Sequence, residues 1–321
     1  VRSEKTLERL TVGQIELESS VFTHSISGPP PGLVGSIARV GLINPPLVRG
    51  RQIVCGYRRL TAVRELGWEE VDAWIIHEEA LSPEGAAELA LLDNLSHRGL
   101  NDAEKAVAIT RFVRDLSVPR DRVIRQYLPL VGIRASAEAL RRFVLVGTSA
   151  RTVLDLLDRG RIGFGTACTL ASLPQRDQET LGELLTRTRS GVSTSREIVG
   201  SMMDLAAREG RGVGQVAEDG WVATLLLRDF GSGKRVDKEL VRELRLRRSP
   251  RRAGSRRAGL AAAGRWERRA GVRLDVPPGR EGRPWSVRIA FRTIDELRAK
   301  VDRLARPSQL EELRRLMVDE P

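Results

Sequence analysis

The sequence predicts an α/β unit at the N-terminus, an all-α middle region and a small strand–helix unit at the C-terminus. Three observations carry this prediction. Between residues 47 and 66, two short apolar strands, a tight turn and a glycine-headed helix follow one another. From Ser82 to about residue 208 the chain is a succession of capped, apolar-periodic helices. Residues 285–291 then alternate as a strand, and Thr293 with Glu296 opens a last helix.

Taken in order, Ile15-Glu16-Leu17 is the first strand candidate, and Leu33 to Val40 has helical spacing that stops at Gly41. Pro45-Pro46-Leu47-Val48-Arg49 leads into a strand, Arg49-Gly50-Arg51 forms the turn, and Gln52-Ile53-Val54-Cys55 is the returning strand. Tyr57 to Leu66 is a helix and Val71 to Ile76 a further strand. Ser82 caps a helix with Pro83 at its first position, running to about Leu92. Asn101 and Glu104 form a capping-box pattern before a helix over 102–116. Further helices are expected near 120–128, 136–146, 149–158, 165–172, 177–188 and 195–208, with a boundary at the glycines of 210–214. The domain division that follows is 10–100, 101–210, an Arg-rich linker over 211–280, and 281–321. In the last of these Leu297, Val301 and Leu304 form an apolar stripe suited to a dimer contact.

The 321 residues carry 54 Lys and Arg against 42 Asp and Glu, a net charge of +12, which favours polyanionic partners. The excess is mostly Arg, whose planar fork grips phosphate, and residues 242–273 hold four Arg pairs among Ala and Gly. No apolar run reaches the roughly 18 residues of a membrane-spanning helix. No signal-peptide layout opens the chain, and Cys55, Cys168, His24, His77 and His97 form no ligand cluster. The expectation is a cytoplasmic protein without a structural zinc.

Two short stretches carry candidate chemistry. In Gly56-Tyr57-Arg58-Arg59-Leu60-Thr61-Ala62 a strand passes into a helix, so backbone amides and a cation meet where phosphate is favoured. On a helix, adjacent Arg58 and Arg59 diverge, so one can reach an anion while the other makes a structural pair. In Asp93-Asn94-Leu95-Ser96-His97-Arg98, at the end of the helix begun at Pro83, Asp93 and Asn94 offer oxygens to a hard cation such as Mg²⁺.

These stretches stand in order with Leu33-Val34-Gly35-Ser36-Ile37 and Gly41 to Arg49 before them, and Leu100-Asn101-Asp102-Ala103-Glu104-Lys105-Ala106 after them. In that order, residues 15–110 resemble the N-terminal domain of the ParB family of DNA-partition proteins, a fold shared with sulfiredoxin. The resemblance implies a CTP-binding switch with Mg²⁺. Gly56, Arg58 and Arg59 match the family's phosphate box, and Asp93, Asn94 and His97 its second box, with Asp93 as the catalytic position. Tyr57 and Asp93 stand where the family has Glu, and His97 where it has Arg, with Arg98 beside it. Hydrolysis is therefore expected to be slow or absent. Cys55 precedes Gly56, rather than lying in the box as sulfiredoxin's cysteine does, and is expected to be a buried core residue.

The resemblance also places a helix-turn-helix in the middle region, here Asp121 to Leu128, a turn, and Ser136 to Val146. Arg134, Ser136, Arg141 and Arg142 are then the candidate DNA contacts, with Glu138 on the same helix. Gly160 to Ala167 resembles the family's "G.IS..HA" segment, with Thr166 where the family often has His. The implied protein is a nucleoid-associated homodimer that binds double-stranded DNA and works with a ParA-type ATPase. The alternatives are a ParB-like transcriptional regulator without a partition role, and a nucleotide hydrolase or nuclease. For a nuclease, no second carboxylate cluster is evident beside Asp93.

Overall fold

The computed structural model describes residues 5–17, 21–227, 236–248, 264–275 and 286–318. Its first compact unit spans Val1–Val241 and its second Arg242–Pro321. The Arg-rich residues 249–263 and Trp285 lie outside the described residues.

The first unit opens with a four-stranded sheet in the order β1-β4-β2-β3. Strands β2 (Leu47–Arg49) and β3 (Gln52–Cys55) form the expected antiparallel hairpin. β4 (Glu70–Ile76) runs parallel to β2 and antiparallel to β1 (Thr6–Thr11). Along β4, Val71, Ala73 and Ile75 turn one face into the core while Glu70 and Asp72 stay outside, the period-2 pattern of a sheet covered on one side. Helices α1 (Pro31–Val40) and α2 (Tyr57–Glu65) supply Ile37, Leu60, Ala62 and Val63 to the same core, against Val48 and Ile53. The first strand lies earlier than Ile15-Glu16-Leu17 implied. Those residues contribute Ile15 and Leu17 to the core but only one isolated bridge, Glu16 to Gln52. β1 is an edge strand with five of its six residues exposed, so it shows no buried alternation to read.

Helix α3 (Pro83–His97) starts on the Ser82 cap, whose side chain accepts from the Gly85 amide, and runs five residues past the expected end. Asp93, Asn94 and His97 are therefore helical, on one side of the last two turns. Helix α4 (Asp102–Arg114) opens with a complete capping box. A continuous helical run follows: α5 (Arg120–Arg122), a π segment (Val123–Tyr127) and α6 (Leu128–Leu130). Pro129 has no N–H for the carbonyl four residues back, and the Leu128 amide bonds Val123 instead, five residues back. The run is anchored by Tyr127, stacked on Phe112 at 3.9 Å between ring centroids and donating to Glu84.

The remaining helices of this unit are α7 (Ala137–Gly147), α8 (Arg151–Asp158), α9 (Phe164–Ala171), α10 (Gln175–Thr188), α11 (Val192–Glu209), α12 (Val213–Ala217), α13 (Gly220–Leu227) and α14 (Val236–Arg248), the last crossing the division between units. α7 crosses α4 with no room for a side chain at Gly147, where a Cβ would lie 2.4 Å from the Ala106 carbonyl oxygen. The helices thus continue through the expected boundary at 210–214, with Gly210 serving as the C-cap of α11.

In the second unit a helix over 264–270, α15, buries Trp266 to 1% exposure among Ala270, Val272 and Leu274. Ile289, Leu304 and Leu313 pack against this cluster. β5 (Arg273–Asp275) pairs with β6 (Ser286–Arg288), and α16 (Ile294–Leu304) and α17 (Pro307–Val318) follow. β6 is shorter and more exposed than the half-buried strand expected over 285–291. Of the expected stripe, Leu304 faces this small core, while Val301 is 46% exposed.

Candidate functional site

The turn from β3 into α2 is built on Gly56. Its φ of +92° is left-handed, and a Cβ there would lie 3.1 Å from the Cα of Pro46, so both conformation and space require glycine. Gly56 is also the N-cap of α2, and no side chain caps the amides of the first turn. Arg59 Nη1 donates to the main-chain oxygens of Asn44 and Pro45, so the guanidinium is strapped across the loop before β2. Both acceptors are neutral, which orients its charge without cancelling it.

Arg58 points elsewhere. Its Nη2 donates to Glu104 Oε1 at 3.2 Å, and its Nε is buried without a hydrogen-bond partner. Glu104 is fully buried at the start of α4, and it also receives two bonds of 2.7 Å from Arg98. A third role is local: its carboxylate accepts from the Asn101 amide, completing the capping box. One buried carboxylate thus joins α2, the end of α3 and the start of α4. Arg98 is held protonated well above its ordinary range, first by these hydrogen bonds to Glu104. Of the two arginines of the phosphate box, Arg58 makes the structural pair.

On α3, the Asp93 carboxylate approaches Cys55. Burial first, and then the neighbouring Asp93, push the Cys55 thiol up to about 12, so it stays protonated. That chemistry suits a core residue and not a redox nucleophile. The Asn94 amide is engaged at both ends, donating to the Ala90 carbonyl and accepting from Arg98 Nη2. His97 turns back on its own helix, with Nδ1 2.7 Å from the Asp93 carbonyl oxygen, and is largely exposed. The second box is therefore brought beside the Gly56 turn through Asp93, while His97 stays on the surface and Arg98 reaches Glu104. No group of three or more His, Cys, Asp or Glu that could hold a metal occurs among the described residues.

Sequence reasoning missed His24 and read Glu104 only as a cap. The segment 22–27 passes beneath the helices, with Phe22, Thr23, His24 and Ile26 all buried. Arg111 donates to Thr23, Arg151 to the Ile26 carbonyl, and Ser27 bonds Asp158. Burial lowers the His24 pKa to about 4, and Nε2 has no partner. Glu104 opposes that shift, while Arg98 and Arg111 add to it. This stretch has neither helical nor strand periodicity, so no pattern marked it.

The middle region holds the candidate DNA contacts. The run ending at α6 turns at Gly132, and Ser136 then caps α7 by accepting from the Ala139 amide. Ser136 is thus occupied as a cap. Arg134 lies exposed in the turn. Arg141 is exposed and forked on Glu138, and Arg142 lies 5.3 Å over the ring of Phe164. The buried side of α7 is Leu140, Phe143 and Val146.

The ParB N-terminal domain family matches residues 31–95. The probable chromosome-partitioning protein ParB of Chlamydia trachomatis is 30% identical over 166 residues, 48% of this chain and 54% of that protein. That of Campylobacter jejuni is 29% identical over 173 residues, 52% and 58% of the two chains. The nucleoid occlusion protein of Halalkalibacterium halodurans is 39% identical over 85 residues, 25% of this chain and 29% of that one. The chain spans about half the length of the curated ParB relatives it matches. A solved structure of C-terminally truncated Caulobacter crescentus ParB with CTP-gamma-S covers 56% of this chain and 99% of its own, at 18% identity and a TM-score of 0.26. The match over α1 to α3 includes the Gly56 turn and Asp93. Residues 31–95 are therefore a ParB N-terminal domain.

Proposed function

We propose that this protein binds double-stranded DNA in chromosome or plasmid partition, as a homodimer with a ParA-type ATPase as partner. The observation that carries the reading is the helical pair ending in α7, which follows a ParB N-terminal domain and leaves Arg134, Arg141 and Arg142 exposed. A helix seated on Leu140, Phe143 and Val146 can present those arginines to a groove, with Arg141 exchanging Glu138 for phosphate. The net charge of +12 supports the same partner. No helix among the described residues is long and apolar enough to cross a membrane, and a nucleoid location fits the proposal. For the dimer, exposed Ile294 and Val301 on α16 and Leu310 on α17 offer apolar surface.

The nucleotide reading deepens this one. The uncapped amides at Gly56, the oriented Arg59 and the orphaned Arg58 Nε fit a phosphate group at the head of α2. CTP bound there would supply the negative charge that Arg59 lacks. Asp93 is the residue nearest in role to a Mg²⁺ ligand. Asn94 is already engaged at both ends, so phosphate oxygens and water would complete any cation's shell. Slow or absent hydrolysis is expected, because Tyr57, Asp93 and His97 depart from the family's pattern.

The test is DNA binding against salt, with genomic fragments recovered by co-precipitation. Six arginine contacts across a dimer give a log–log slope near −5, about a thousandfold loss of affinity between 50 and 200 mM salt. Salt-independent binding, or none to any fragment, refutes the proposal. CTP should raise Tm more than ATP or GTP, and Arg59→Ala should remove the difference.

A further inference from the structure

Residues 21–30 lead into α1 without forming helix or strand, yet part of this segment is core. Phe22, Thr23, His24 and Ile26 are each 7% exposed or less. Side chains of two helices hold it. From α4, Arg111 donates to Thr23 Oγ1 at 3.2 Å. From α8, Arg151 donates to the Ile26 carbonyl at 2.6 Å, and Asp158 accepts from Ser27. The other oxygen of Asp158 accepts from Asn101, the N-cap of α4, at 2.7 Å. Residues 22–27 are thus a strap laid across α4 and α8 and fastened to both.

His24 is the weak point of the strap. Its ring bonds the Phe22 backbone and leaves Nε2 buried without a partner. Beside it Ala87 and Leu91 of α3, with Ala108, Arg111 and Phe112 of α4, leave a cavity of about 10 Å³, room for one water at most. A neutral ring tolerates that place. A proton added at Nε2 finds no acceptor and almost no solvent, and a buried charge without a partner is costly. The charged groups around it do not change this. Arg98, after α3, and Arg111, on α4, oppose a further positive charge. Glu104 favours it, but the carboxylate already accepts from Arg58, Arg98 and the Asn101 amide. On α8, Asp158 is engaged by Ser27 and Asn101, and Asp155 by Arg151. In water the same ring protonates below about pH 6.5, so acid favours the strap released over the strap in place.

We propose that residues 22–27 are a proton-released latch: when His24 takes up a proton, this strap leaves α4 and α8 while the rest of the first unit stays folded. The strap adds no helix or sheet ladder of its own, whereas the sheet and the helices keep theirs, so local release costs less than unfolding the unit. Release parts Arg111 from Thr23 and Asp158 from Ser27, and it bares the apolar sides of α3 and α4 that line the cavity. Since α4 also makes the close crossing with α7 at Gly147, the latch bears on how the candidate DNA-contacting helix is seated. It depends on neither the DNA nor the nucleotide reading.

The test is thiol labelling of the full-length chain carrying Ile26→Cys and Cys168→Ser. Dithiodipyridine, which reacts with thiols at acid pH, is used at pH 7 and pH 5, with each rate divided by that of the urea-unfolded chain. The introduced thiol reports the strap, and native Cys55, 6% exposed in the core, reports opening of the unit as a whole. A His24 value of about 4 in place, against 6.5 when released, makes the strap open about twentyfold more often at pH 5 than at pH 7. Labelling at position 26 should rise by that factor, with Cys55 at least tenfold slower at both pH values. Adding His24→Leu should abolish the rise. Equal labelling of the two thiols means that the whole unit opens and overturns the latch. So does an unchanged rate at position 26, or a rise that survives His24→Leu. Should Ile26→Cys fail to fold, hydrogen exchange of a peptide spanning residues 21–30, against one spanning β2 and β3, reads the same ratio in the unsubstituted chain.

Discussion

Removing the Glu104 carboxylate should destabilise the first unit more than most single substitutions. Glu104 is fully buried between Arg98, which it binds through two hydrogen bonds of 2.7 Å, and Arg58, at 3.2 Å. Breaking a buried ion pair by deleting one partner costs about 3–5 kcal/mol, because the remaining charge is stranded. Here the stranded side chains are 28% and 32% exposed, so water recovers part of that cost. Against this, Glu104→Ala also forfeits the capping bond to the Asn101 amide. The two corrections nearly offset, leaving a loss of about 3 kcal/mol. For a unit of this size that corresponds to a fall in Tm of about 6–12 °C. Glu104→Gln, which keeps the volume and one acceptor, should lose roughly half as much. Thermal and urea melts at pH 7 read both. The clearest check on the reasoning is a double-mutant cycle between Arg98→Met and Glu104→Gln. A coupling of about 1–3 kcal/mol is expected, and additivity within about 0.3 kcal/mol refutes the clamp.

Three further outcomes follow from the geometry. His24 has a folded pKa of about 4 against 6.5 unfolded, so the unfolded chain binds the extra proton between those values. Stability should therefore fall by roughly 3 kcal/mol as pH drops from 6.5 to 4, with no contribution above 6.5, and His24→Leu should flatten that slope in pH-dependent urea melts. Gly147→Ala would drive a Cβ to 2.4 Å from the Ala106 carbonyl, separating α7 from α4; a loss above about 2 kcal/mol is expected in the same melts, and an unchanged Tm would contradict the close crossing. Cys55, 6% exposed and protonated, should resist maleimide at pH 8 while the partly exposed Cys168 labels, as peptide mass mapping would show.

What the sequence made legible was whatever local pattern decides. The hairpin over 47–55 is two short apolar strands about the turn at Gly50, and Gly50 and Gly56 both sit at left-handed backbone angles that other residues resist. α3 runs past the end its sequence pattern predicts because Asp93, Asn94, Ser96 and His97 are weak helix formers, held helical here by bonds to the preceding turn and by contacts with neighbouring elements. Asp93 lies near Cys55, while Asn94 is bonded to Arg98 and Arg98 to Glu104. Those contacts also separate the two arginines of the phosphate box. Nothing in Arg58-Arg59 itself says which side chain is used up structurally; that depends on a carboxylate 46 residues away. Local pattern names Glu104 as a cap, and it is one, yet burial gives the same carboxylate its larger role. A helix-capping residue placed where three helices meet can report on all of them. Any ligand drawn to Arg58 competes directly with Glu104 for the same guanidinium. Since Glu104 opens α4, and α4 packs on α7 at Gly147, the Gly56 turn is joined to the candidate DNA-contacting helix through two direct contacts.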